Sequence, residues 1–279
     1  MKILETIKET KETILRLKEE GKSVGFVPTM GALHEGHLSL LAESISDNDV
    51  SVVSIFVNPI QFNNKADLEK YPRTLEDDCN KLEDAGCDLV FAPSVDEMYP
   101  GKVQEHYDFG DLERVMEGAH RPGHFNGVAV VVKRLFEICI PHKAYFGEKD
   151  YQQLRIIQSL VEQQNIPVEI IGCPIVREAD GLAMSSRNVR LSAEERKIAP
   201  SIYESLKNIR RKVGNGTVNE VLSLEKDKLN SLPGMKVEYL VIADEDKLKP
   251  VNNWDETKKL RAFIATFLGE IRLIDNLKV

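Results

Sequence analysis

Long apolar runs are missing from this chain. No stretch approaches the ~20 residues that a membrane-spanning helix requires. The opening segment, MKILETIKETKETILRLKEEGKS, reads as a charged amphipathic helix without the apolar core and cleavage site of a secretory signal. The expected compartment is therefore the cytoplasm. Cysteine is scarce, and Cys79, Cys87, Cys139 and Cys173 form neither a C-x-x-C pair nor a metal-ligand spacing. Buried reduced thiols are expected, as in a reducing compartment, and the Asn215-Gly216-Thr217 sequon is then without consequence. Positive charge is also in deficit, with 37 Lys and Arg against 45 Asp and Glu and a net charge of −8. That balance argues against a nucleic-acid surface, which needs a basic face, so any anion site must be built from local groups. Neither G-x-G-x-x-G nor a Walker A sequence occurs, which excludes the dinucleotide and P-loop forms of a nucleotide site.

What remains is ordinary for a soluble globular protein: 279 residues, 42% hydrophobic and 29% charged, enough for one large domain or two smaller ones. The chain is organised around Val27 to Leu38, VPTMGALHEGHL. Ser23 to Val27 is a short apolar run of the kind that makes a buried strand, and Pro28 is expected to end it. Leu38, Leu41 and Ile45 then recur at spacings of three and four, the apolar face of a helix. His34 and His37 thus fall at or just before a helix N-terminus that follows a strand. Unpaired N–H groups and a partial positive charge at such a terminus suit a phosphate. Gly36 removes a side chain where a flat ring could lie against the backbone, and a neutral imidazole can donate one N–H to a phosphoryl oxygen. Two histidines at spacing three are, by themselves, ordinary surface residues. Zinc histidines on a helix favour spacing four with a nearby carboxylate, as in H-E-x-x-H, so no metal ligands are assigned.

Periodicity sets the expected order of elements. Residues 3–20, with Ile3, Ile7, Ile14 and Leu17 among charges, read as a surface helix. Val50 to Val57 is a β-branched run suited to a parallel strand buried on both faces. Asn58-Pro59-Ile60-Gln61-Phe62 follows at its carboxyl end, where open α/β sheets bind ligands. The polar segment 63–78 is either a lid or a solvated connection. A helix over Cys79–Ala85, a strand Asp88–Ala92, a short helix near Leu112–Met116, a buried helix over Gly127–Ile140 and a strand Ala144–Gly147 come next. Asp150 is placed as N-cap of a helix through Glu162, ahead of a fifth strand over Val168–Gly172. Alternating strands and helices imply an α/β fold with a doubly wound parallel sheet. Beyond Val176, a capping box at Ser192–Glu195 opens a helix to about Val213, a second helix covers Val218–Asn230, and strands follow at Val237–Ile242, Arg261–Leu268 and Ile271–Ile274. These make a smaller C-terminal α+β domain, with domains at 1–175 and 176–279.

Five separated segments carry a resemblance: PTMGALHEGH (28–37), FVNPIQF (56–62), RPGHFNGV (121–128), FGEKDYQQL (146–154) and IVREADGLAMSSRN (175–188), with a weaker LIDN (273–276) near the end. Their order resembles the pantothenate synthetase (pantoate–β-alanine ligase) family of the nucleotidylyltransferase superfamily with its His-x-Gly-His motif. Met184-Ser185-Ser186-Arg187 is similar to the Lys-Met-Ser-Lys-Ser loop of that superfamily; two hydroxyls and a guanidinium can grip phosphate oxygens from several directions. The resemblance implies a Rossmann-like sheet and a ligase that uses ATP with Mg²⁺. Pantoate attacks the α-phosphorus, and β-alanine then attacks the pantoyl adenylate. It implies catalytic roles for His34, His37 and Lys149. ATP contacts are implied for Met30, Gly31, Ala32, Leu33, Glu35, Gly36, Gly147, Glu148, Asp150, Val176, Met184, Ser185, Ser186 and Arg187. Asn58, Gln61 and Gln153 are implied as substrate ligands. A C-terminal domain covering the site and a homodimer are implied as well, with no nucleic-acid or membrane partner. Two rivals differ in product: an adenylyltransferase that passes AMP to a phosphate-bearing acceptor, and a nucleotide-binding sensor that releases no pantoate-dependent pyrophosphate.

Overall fold

Val50–Ile55, VSVVSI, is almost wholly buried, the environment in which β-branched residues favour a central parallel strand. In the computed structural model, which describes residues 1–63 and 65–279, this strand lies third in a six-stranded parallel sheet. Asn64, within the polar segment 63–78, is outside the described residues. The chain divides into two compact units, Met1–Glu148 with Gln153–Pro174, and Lys149–Gln152 with Ile175–Val279.

The first unit runs β1 (Lys2–Leu4), α1 (Ile7–Glu19), β2 (Val24–Thr29), α2 (Glu35–Asp47), β3 (Val50–Ile55), α3 (Lys65–Glu69), α4 (Leu75–Asp84), β4 (Leu89–Phe91) and α5 (Val95–Met98). It continues through α6 (Met116–His120), α7 (His124–Cys139), β5 (Lys143–Gly147), α8 (Tyr151–Gln164) and β6 (Glu169–Cys173). The strand order is β1-β4-β3-β2-β5-β6, so the chain builds outward on one side of β2 and then on the other. β2 pairs with β3 over six residues but with β5 only at Gly25 and Phe26. Beyond that point β2 and β5 no longer pair, and their carboxyl ends lie at the topological switch point, where doubly wound sheets bind ligands.

Several expectations are corrected. Residues 2–4 form the edge strand β1, paired with Leu89–Phe91, and the first helix starts only at Ile7. Three residues are too few to show an alternating pattern, yet Leu4 is fully buried. Pro28 does not end β2, which continues to Thr29. β5 has already left the strand there, so proline stands where no ladder partner is needed on that side. On α2 the buried face is Leu40, Leu41 and Ser44, with Ile45 38% exposed. Leu75–Leu82 of α4 belongs to a helix that begins four residues before the expected start.

Alternation along the strands gives the sheet two apolar faces. Val27, Val53 and Val90 pack with Leu40, Leu41 and Leu82 of α2 and α4, whereas Phe26 meets Phe136 of α7 edge-on at 6.2 Å. The four cysteines are free and buried in this unit. Burial pushes the Cys173 thiol up to about 11 and the Cys87 thiol up to about 12.

The second unit contains α9 (Ala193–Ile198), α10 (Ser201–Arg211), α11 (Val218–Asn230), β7 (Met235–Asp244), β8 (Leu260–Leu268) and β9 (Ile271–Lys278). Its antiparallel sheet has the order β7-β8-β9 and its own core, including Ile202, Leu206, Val221, Ile242, Ile264 and Leu273. The single helix expected over 192–213 is broken at Pro200, which cannot donate within a helix. The last strand runs eight residues, past the apolar stretch, because Asp275 and Asn276 are buried in it. Among the described residues, no helix is long and apolar enough to cross a membrane.

Candidate active site

The candidate residues fall into a group in each unit. In the first unit, β2 is followed by a loop, Met30 to Leu33, that delivers the chain to α2. Gly31 has φ +79°, and a Cβ there would lie 2.9 Å from the Asp78 carboxylate, so the turn admits only glycine without strain. Ala32 follows at φ +51°. Asp78 fastens this turn: its two oxygens accept from the N–H groups of Ala32 at 2.8 Å and Leu33 at 2.7 Å, and Thr74 donates to it at 3.0 Å. Lys81 donates to the Leu33 carbonyl at 2.9 Å. Asp78 is fully buried on the first turn of α4. The polar segment 63–78 therefore ends in a structural anchor, against the reading of its last residues as lid or solvated connection.

His34 is the N-cap of α2. Its Nδ1 accepts from the Gly36 N–H at 3.1 Å, while Nδ1 of His37, at the third helical position, accepts from the His34 N–H at 3.4 Å. The two imidazoles thus form a capping box in the manner of Ser and Glu. Their rings stack 4.1 Å apart with 33° between planes. With each Nδ1 engaged as acceptor, the proton of each neutral ring sits on Nε2. The helix cap consequently sets both tautomers so that Nε2–H is the donor. Both rings are half-buried and Glu35 between them is exposed.

Asn58 and Gln61 flank the turn after β3 and are buried. Asn58 donates to the Gln61 carboxamide oxygen at 3.0 Å and to the Gly127 carbonyl at 3.1 Å, and accepts from Tyr99 at 2.9 Å. That orientation leaves the Gln61 amide nitrogen directed at the Met30 sulfur, 3.1 Å away. Helix α7 supports the turn: His124 Nδ1 lies 2.9 Å from the Gln61 carbonyl, and a Cβ on Gly127 would come within 2.7 Å of Gln61 Cα. The segment 121–128 thus has a physical reason for its His and Gly, which spacing alone did not reveal. Gly147 ends β5, Glu148 opens the 3-10 turn after it and Gln153 lies on α8, all three half-buried.

In the second unit, an antiparallel bridge pairs Arg177 with Ala183, and the Met184 N–H donates to the Val176 carbonyl at 3.0 Å. This small hairpin brings Val176 beside Met184 and delivers the chain into a turn holding Ser185, Ser186 and Arg187, all half-buried. Ser185 accepts from the Arg187 N–H at 3.3 Å, and Asn188 donates to the Ala183 carbonyl at 3.1 Å. Lys149, in the segment that belongs to this unit, is 19% exposed at its side chain with Asp150 at 3.7 Å. Asp150 ends a 3-10 turn and directly precedes Tyr151, the first residue of α8. Asp78, Tyr99, His124, Gly127 and Asn276 had not been singled out from sequence. The hydrogen-bond partners of these residues lie tens of positions away in the chain, beyond any local pattern.

A parallel sheet with a histidine-capped helix at its switch point and a smaller α+β unit defines a Rossmann-like nucleotidylyltransferase type of protein. The family model for pantoate-beta-alanine ligase matches residues 2–278, and the chain belongs to that family. It is 52% identical over 278 residues to pantothenate synthetase of Bacteroides fragilis, covering 100% of this chain and 99% of that one. It is 50% identical to pantothenate synthetase of Porphyromonas gingivalis with the same coverage. The crystal structure of pantothenate synthetase from Thermus thermophilus superposes with a TM-score of 0.93 at 46% identity, covering 100% of this chain and 99% of that chain. A ligase from Francisella tularensis, solved in complex with beta-gamma ATP and β-alanine, gives 0.83 at 38% identity, covering 100% and 97%.

Proposed function

We propose that this chain condenses pantoate with β-alanine at the expense of ATP, through a pantoyl adenylate. The pantoate carboxylate attacks the α-phosphorus, and the bond to the bridging oxygen breaks as pyrophosphate leaves. The β-alanine amine then attacks the acyl carbon, AMP departs, and the amine loses a proton as the amide forms. No protein nucleophile takes part, so the enzyme's contribution is positioning and charge stabilisation.

The observation that supports this reading most is the histidine capping box. It holds two Nε2–H donors on one helix start, where the helix dipole also favours anionic oxygens. We assign His34 and His37 to the phosphates, with Lys149, Ser185, Ser186 and Arg187. Met30 to Leu33, Gly147 and Val176 are assigned to the nucleoside, with Glu35, Gly36, Glu148, Asp150 and Met184 beside them. Asn58, Gln61 and Gln153 are assigned to the substrate carboxylate. Amide donors orient that nucleophile without the strong neutralisation an arginine would impose, and Asn58 engages the Gln61 carboxamide oxygen, which leaves the amide nitrogen, 3.1 Å from the Met30 sulfur, as the donor end. Mg²⁺ enters as the counter-ion of ATP, held by phosphates and water. Among the described residues no three His, Cys, Asp or Glu side chains converge to form a dedicated cation site. A homodimer in the cytoplasm completes the proposal.

The deciding experiment is AMP formation from ATP with each substrate omitted in turn. Product that requires both pantoate and β-alanine supports the ligase. A dinucleotide product, or binding without turnover, would return the reading to the adenylyltransferase or the sensor.

A further inference from the structure

LIDN, residues 273–276, is a motif to which no role has been given. On β9, Leu273 belongs to the core of the second unit, while alternation turns Asn276 to the opposite side. The Asn276 side chain is 2% exposed for the residue as a whole and works in two directions. Its Oδ1 accepts from Arg261 Nη1 at 2.6 Å, and its Nδ2 donates to the main-chain carbonyl of Lys149 at 3.0 Å. Because a guanidinium can only donate, the Arg261 contact fixes which end of the amide faces Lys149.

Arg261 is held in turn. Glu245 accepts from it at 3.0 Å, and its guanidinium lies 3.9 Å from the centre of the Tyr151 ring, two residues after Lys149. The neighbouring Asp275 forms a two-pronged pair with Arg177 at 2.6 and 2.9 Å and accepts from the Asn276 N–H at 2.7 Å. Burial raises the Asp275 carboxyl, and the Arg177 and Lys149 cations oppose that rise. Within the second unit, the Lys149 carbonyl is therefore held by Asn276, and the Tyr151 ring two residues on lies against Arg261.

We propose that Asn276 is a positioning residue for adenylation, with Arg261 and the Arg177–Asp275 pair behind it: its amide fixes the Lys149 backbone so that the ammonium meets the charge developing on the departing pyrophosphate. The proposal rests on the phosphate role assigned above to Lys149.

Asn276→Asp is the informative variant, because it keeps an acceptor for Arg261 and removes the donor to Lys149. Asn276→Ala accompanies it. Single-turnover pyrophosphate release should fall about tenfold in both. Amide formation from synthetic pantoyl adenylate and β-alanine should stay within about twofold of the parent, since pyrophosphate is absent from that step. In a Lys149→Ala background, Asn276→Asp should have little further effect, as expected of residues acting through one group. If Lys149→Ala slows both half-reactions equally, the phosphate role of Lys149 is wrong. If Lys149→Ala is selective but Asn276→Asp leaves pyrophosphate release unchanged, or the two changes multiply, the positioning role is wrong. Equal loss in both half-reactions by the Asn276 variants, with a lowered melting temperature, would reduce Asn276 to a purely structural residue.

Discussion

The helix start at His34 and the turn at Lys149 are held by contrasting means. His34 and His37 hold partners two and three residues away, the His34 imidazole accepting from the Gly36 N–H and the His37 imidazole from the His34 N–H. The Lys149 carbonyl accepts from Asn276, 127 positions further along, on β9 of the same unit. A local device can be read from spacing. A remote one becomes visible only when the chain is folded. The Met30–Leu33 loop lies between these extremes, because its turn glycine is local but its anchor, Asp78, is 45 and 46 residues away.

The two units also carry separate reporters, which makes the comparison open to experiment. All four cysteines are in the first unit and buried, whereas the single tryptophan, Trp254, packs against the core of the second. Thiol labelling and tryptophan fluorescence during denaturation therefore report on different units.

The largest effect should come from His34→Asn. Asparagine is a good helix N-cap, so the melting temperature should hold, while the lost Nε2–H donor lowers pyrophosphate release by roughly a hundredfold or more. Near-normal turnover with weakened stability would mean that the imidazole is only a cap. Next is Asp78→Ala, which strips the acceptor from two loop N–H groups. We expect about 3 kcal/mol of destabilisation, seen in thiol exposure and much less in Trp254. A shift of equal size in both reporters would show that the two units melt as one.

Gly127→Ala should act at the turn after β3, because the new methyl meets Ile60 and Gln61 backbone atoms at 2.6–2.7 Å. An overpacking cost of about 1–2 kcal/mol should appear as a raised KM for pantoate, with that for ATP little altered. Equal change in both would remove α7 as the specific support of Gln61. The smallest effect concerns acid. The Ser23 N–H and hydroxyl hold the Asp49 carboxyl below its usual range, and Thr217 does the same for Glu220. Their folded values are depressed, so their stabilisation is present above the ordinary carboxylate range and fades as pH falls through the folded values. Asp49→Asn and Glu220→Gln should each flatten the acid limb slightly, the first in the thiol signal and the second in Trp254.

The sequence by itself determined a good deal. The β-branched run over Val50–Ile55 marked a buried parallel strand and the apolar stripe of 128–136 a buried helix, because burial of apolar surface is written directly into periodicity. The strand–turn–His-x-Gly-His–helix order placed both histidines at an N-terminus, because capping depends on near neighbours. It could not show β1, which is too short to carry a pattern, nor the strand running through Pro28, whose tolerance depends on where β5 departs. Nor could it show that Nδ1 of each histidine is occupied, that α7 supports Gln61, or that Asp78 ties down the Met30–Leu33 loop. Those belong to tertiary structure. Buried polar groups must find partners wherever the fold brings them, and the identity of a partner 45 or 127 residues away is decided by packing, which leaves no local trace in the chain.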